Sequence, residues 1–128
     1  MNREIEFRGM TIKGEWVYGL LAQIPQEYHT QSIPAGVYIS NKAGRPFAYQ
    51  VRPETVGQYT GLVDKQGVKI FEGDIVKIYL GLNIWQTKEV YFDNDLCEFG
   101  FKETHENLYS MYSKHYEVIG NIHEEPKA

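Results

Sequence analysis

The chain is poor in the features that usually reveal a chemistry. It has one cysteine in 128 residues, which excludes an intrachain disulfide framework and any multi-cysteine zinc site. No apolar run approaches the roughly 20 residues that a membrane helix needs, so no membrane partner is expected. The start, Met1-Asn2-Arg3-Glu4-Ile5-Glu6, is charged and lacks the apolar stretch of a signal peptide. A soluble, intracellular, globular protein is therefore expected. The net charge of −4 is too small for bulk disorder.

The charge is unevenly placed. Residues 1–64 carry six basic and six acidic side chains, whereas 65–128 carry seven and 11. A domain-wide basic footprint for nucleic acid is absent. One local exception lies between Tyr28 and Pro53, which holds Lys42, Arg45 and Arg52 but no acid. Tyr38, Phe47 and Tyr49 are interleaved with these cations, a pattern that can hold a phosphate backbone and stack bases. The competing reading is an edge hairpin with rings toward the core and cations toward water. Three cations would neutralise few phosphates.

Hydrophobic periodicity is mostly two. Ile5 and Phe7 alternate with Glu4, Glu6 and Arg8. The run from Trp16 to Leu21 is apolar on both faces and predicts a central strand. Residues 25–36 read as a loop. Strands are predicted at Val37–Ser40 and Phe47–Val51, joined through Asn41–Gly44, with Pro46 marking the second as an edge strand. Arg52–Gly57 suits a single helical turn. Asp64-Lys65-Gln66-Gly67 has the ends of a type I turn, and Gly73-Asp74 a sharp reversal with positive φ at the glycine. Strands follow at Ile75–Leu80, Thr87–Phe92, Leu96–Lys102 and Tyr116–Ile122. Cys97, Phe99 and Phe101 alternate, which predicts a buried, inert thiol. One short helix is predicted near residues 104–113, capped by Thr104, with Leu108, Met111 and Tyr112 at helical spacing.

Many short strands with frequent turns predict a mainly β protein built as a small barrel or sandwich. The expected division is an N-terminal β region, 1–58, and a barrel region, 59–128, or one continuous domain.

Catalytic templates fail. Gly57-Gln58-Tyr59-Thr60-Gly61 lacks the lysine of a phosphate loop. His105-Glu106 begins a zincin motif, but Tyr109 takes the second ligand position. Asp93-Asn94-Asp95 does not continue as a calcium loop. No catalytic residue, metal site or cofactor is expected, and no enzyme.

Four segments together resemble the YopX family, small proteins of bacteriophages and prophages. They are Arg3–Gly9 with Gly14–Gly19, Pro53–Leu62, Asp64–Gly67 running into Ile70–Val76, and Glu117–Ile122. The resemblance implies a Src-homology-3-like (SH3-like) barrel with additional N-terminal strands, a phage or prophage origin and the bacterial host cytoplasm. It implies no catalytic residues, because the family has no established activity. Departures include Glu6 in place of a usual Lys and Arg52 in place of a common acid.

Two functions remain. One is a non-enzymatic interaction module, either a homo-oligomer or a binder of a host or phage protein, with Trp85, Tyr109, Tyr112 and Tyr116 as candidate contacts. The alternative is nucleic-acid binding through Tyr38, Lys42, Arg45, Tyr49 and Arg52. The two Trp, ten Tyr and six Phe exceed what a barrel of this size obviously needs, which favours contact over catalysis.

Overall fold

The structure, a computed structural model, describes residues 4–26, 33–41, 46–102, 106–107 and 115–124. The chain is mainly β, with three antiparallel sheets and no closed ring of strands among the described residues. It divides into two compact units, Met1–Gln58 and Tyr59–Ala128.

The first unit contains β1 (Phe7–Met10), β2 (Trp16–Gly19), β3 (Leu21–Ile24), β4 (Gly36–Ser40) and β5 (Ala48–Val51). A 3-10 turn, Pro53–Thr55, follows with proline at its start, as the Arg52–Gly57 pattern predicts. Strands β3, β4 and β5 pair in that order. Met10, Ile39 and Val51 are buried, and the Thr55 hydroxyl accepts the Met10 N–H while donating to the Arg52 carbonyl.

Two expectations are corrected here. The segment leading into β1 inverts the polarity its alternation suggests: Glu6 and Arg8 are buried and Ile5 is exposed. Arg8 lies against Trp16, whose ring centroid is 4.8 Å from the guanidinium carbon. Strand β2 is an edge strand, not a central one, and leaves Tyr18 and Leu20 exposed. Gly19, the last residue of β2, approaches β4 closely. A Cβ there would stand 2.5 Å from the Ser40 carbonyl oxygen, so this part of the run packs by backbone approach and not by side chains.

Strand β6 (Gly57–Val63) begins in the first unit, where Gly57 and Gln58 pair with β1. Its later residues, Tyr59 and Val63, pair with β7 (Lys69–Phe71). The second unit adds β8 (Asp74–Gly81), β9 (Ile84–Asp93), β10 (Glu98–Phe101), β11 (Glu106–Asn107) and β12 (Tyr116–Asn121), in the order β11-β10-β9-β8-β12. Its core is Ile70, Val76, Val90, Phe101 and Tyr116, with Leu62, Ile78 and Val118 packed against it. Each such side chain contributes about 1.5–3 kcal/mol.

Two turns hold this unit together. The Gly67 N–H donates to the Asp64 carbonyl, and buried Asp64 accepts from Gln66 and Val68 through Oδ1 and from Val118 through Oδ2. Gly73 has φ 93°, and Asp74 accepts the Phe71 N–H at 2.7 Å. Both agree with the sequence reading.

Cys97 is exposed and has φ 54°, contrary to the buried position expected of it. Asp93 Oδ1 accepts the Asp95 and Leu96 N–H groups, so the turn extends through Cys97 and the strand starts only at Glu98. The helix predicted near 104–113 is replaced at Glu106–Asn107 by β11, which pairs with Phe101 and Gly100. Ladder pairing beside β10 outweighs local propensity there. The rest of that helix prediction lies outside the described residues.

Candidate contact surface on the β8–β9 hairpin

The hairpin of β8 and β9 extends beyond the strands that flank it. Among the described residues, β12 pairs with β8 as far as Ile78, and β10 pairs with β9 from Val90 to Asp93. Between them the β8–β9 ladder continues through Tyr79↔Trp85 and Gly81↔Ile84. Ile84, Trp85, Gln86 and Thr87 are all exposed, although alternate residues point to opposite faces. Among the described residues, no core covers either face of this stretch.

The exposed side chains are largely apolar. Leu80 is 53% exposed, Leu82 91%, Ile84 53% and Trp85 40%. Leu82 and Asn83 form the turn at φ 52° and 61°. The left-handed region costs a branched aliphatic residue roughly 1–2 kcal/mol relative to glycine, and two-residue hairpin turns favour Asn-Gly for that reason. A leucine here is costly in backbone strain and in exposed apolar surface, so folding does not explain it.

Trp85 is the centre of an aromatic and cationic cluster. Its ring lies 4.7 Å from that of Tyr79, its cross-strand partner. The ammonium groups of Lys77 and Lys65 stand 4.6 and 5.6 Å from the indole centroid. The His115 ring lies 6.3 Å from that of Tyr79, tilted by 41°. Lys65 also meets Glu117 at 3.7 Å, an exposed pair worth little by itself.

The other candidate residues are dispersed. Tyr116 is buried and packs edge-on against Phe101, with centroids 5.4 Å apart; it belongs to the core. Tyr109 and Tyr112 lie outside the described residues, as do Lys42 and Arg45. Tyr38 pairs with Gln50, and Tyr49 with Ile39, so the two tyrosines occupy opposite faces of their sheet. Their hydroxyls are engaged, Tyr38 donating to the Pro34 carbonyl and Tyr49 accepting from Asn41. Arg52 donates to the Ile12 carbonyl at 2.7 Å and reaches the Met10 sulfur. These bonds use Arg52 within its own unit.

Sequence reasoning singled out Trp85 but missed Lys65, Lys77, Tyr79 and the leucines. The available signal was Gly81-Leu82-Asn83-Ile84, a turn between two strands carrying a leucine at a position that favours glycine or asparagine.

Among the described residues no three His, Cys, Asp or Glu side chains gather as a metal site, and no helix is long and apolar enough to cross a membrane.

These features define a two-unit, mainly β protein with an exposed hairpin surface. The model of the YopX family, described as YopX protein, matches residues 6–128, and the chain belongs to that family. Among solved structures, the crystal structure of protein EF1440 from Enterococcus faecalis is similar with a TM-score of 0.56 and 20% identity, covering 95% of this chain and 95% of that one. This likeness concerns the fold alone. No curated protein matches the chain.

Proposed function

We propose that the protein is a non-enzymatic interaction module of phage or prophage origin, working in the host cytoplasm through the β8–β9 hairpin. The second unit then serves as an SH3-like scaffold for that hairpin. The observation that carries the reading is Trp85: half-exposed, packed obliquely against Tyr79, flanked by two lysines and adjoining three exposed aliphatic side chains. Large rings beside cations on a supported strand are what contact surfaces use.

The test compares the wild-type chain with Trp85→Ala in light scattering and in quantitative capture from a bacterial lysate. Self-association or a captured protein that is lost on Trp85→Ala supports the reading. A wild-type chain that stays monomeric and captures only what Trp85→Ala also captures overturns it.

Nucleic-acid binding through Tyr38, Lys42, Arg45, Tyr49 and Arg52 is the second reading. It has weaker support, because Tyr38 and Tyr49 face opposite ways and Arg52 is held by backbone. Salt-dependent binding of single- or double-stranded DNA, weakened by charge removal at Lys42 and Arg45, would restore it.

A further inference from the structure

We infer that the outer edge of β9, from Ile84 to Lys88, pairs antiparallel with the same edge of a second copy of this chain. The inference rests on the contact-module reading and names its partner.

The ladder fixes which backbone groups are on offer. Ile84 closes the two-residue turn against Gly81, so its N–H and C=O point toward β8, and those of Gln86 and Lys88 follow by alternation. Trp85, Thr87 and Glu89 therefore point outward. The Glu89 carbonyl confirms this parity, because it accepts the N–H of Lys102 on the β10 side. Beyond Glu89 the outer edge is taken by β10. Among the described residues, no strand pairs it between Ile84 and Lys88. Trp85 and Thr87 thus present two donors and two acceptors on an exposed edge, which natural sheets usually cover, shorten or charge.

That window is self-complementary. Its midpoint is Gln86, and a two-fold axis there sets Trp85 opposite Thr87 of the partner subunit, two outward-pointing residues that exchange both bonds. The pairing occurs twice, giving four inter-chain hydrogen bonds. Gln86 meets the partner's Gln86 as a non-bonded pair, with Cα atoms about 4.5 Å apart. Ile84 lies beside the partner's Lys88, so the single cation of each window falls at opposite ends and no like charges oppose. The register also brings partner atoms to Trp85 and Ile84, two of the exposed apolar side chains of the arm.

The experiment uses the full chain with Cys97→Ser, so that Gln86→Cys carries the sole thiol. Mild oxidation is expected to give a disulfide-linked dimer, since the paired Cα atoms fall within disulfide reach. Asp95→Cys in the same background, in the β9–β10 turn, is expected to remain largely uncross-linked. Thr87→Pro removes one outward N–H per chain while leaving the bonds to β8 intact. It is expected to weaken the dimer about tenfold or more in sedimentation equilibrium, with an unchanged circular dichroism spectrum. A wild-type chain that stays monomeric at the highest attainable concentration overturns the inference. So does a dimer that neither cross-links through Gln86→Cys nor responds to Thr87→Pro. In that last case the chain still works by contact, through another surface, and the module reading survives.

Discussion

Asp64 and Val118, 54 residues apart in sequence, are joined by a hydrogen bond of 3.0 Å from the Val118 N–H to Asp64 Oδ2. The other oxygen of the same buried carboxylate takes the N–H groups of Gln66 and Val68. One side chain thus closes its own turn and anchors the last strand of the unit.

Asp64→Ala leaves these three amides without their acceptor in a partly buried setting. The expected loss is about 2–4 kcal/mol, read as a lower midpoint in chemical denaturation. Asp64→Ala at wild-type stability would show that water or rearrangement replaces the carboxylate at no cost.

Gly19→Ala tests the close approach of the Gly19 backbone to Ser40. The added Cβ would stand 2.5 Å from the Ser40 carbonyl oxygen and 2.7 Å from its hydroxyl. A backbone atom cannot yield cheaply, so destabilisation of about 1–3 kcal/mol is expected, measured by thermal or chemical unfolding.

Much of the second unit was legible in the sequence because its turns are local. Asp64–Gly67 and Gly73-Asp74 are written in residues whose backbone preferences leave few alternatives. What stayed hidden depends on partners distant in the chain. Arg8 meets Trp16 across a strand pair, and Gly19 meets the Ser40 backbone across 21 residues. Cys97 was misplaced because alternation shows a period but not where the strand starts. The candidate surface was half legible: Trp85 is conspicuous by type, whereas Lys65 and Lys77 join it only through folding.

Leu82→Asn separates stability from contact. Asparagine tolerates the left-handed φ of 52° at that position better than leucine does. The monomeric chain is expected to gain about 0.5–1 kcal/mol in denaturation at low concentration, while losing self-association or partner capture. A Leu82→Asn chain that is both less stable and equally associating would contradict the functional reading of this turn.

The Tyr91 phenol is raised above its ordinary value of 10.0, chiefly by desolvation and then by its hydrogen bond to Asp93 and the charges of Asp93 and Asp95. Its folded pKa exceeds its unfolded one, so its contribution to stability is complete below the ordinary value and is lost as pH rises through the folded pKa. Asp93→Asn should bring the Tyr91 titration downward, followed by the ring-carbon resonance of labelled tyrosine. An unmoved titration would mean that the carboxylate has no hold on it.

Amide hydrogen exchange along β9, followed as a function of protein concentration, tests the paired-edge arrangement most directly. The Gln86 and Lys88 N–H groups face β8 within the same chain and should be protected regardless of concentration. The Trp85 and Thr87 N–H groups point outward and should exchange freely in dilute protein, then become protected as concentration rises. Exchange at Trp85 and Thr87 that stays fast at every concentration, beside steady protection of Gln86 and Lys88, would contradict pairing of this edge with a second copy.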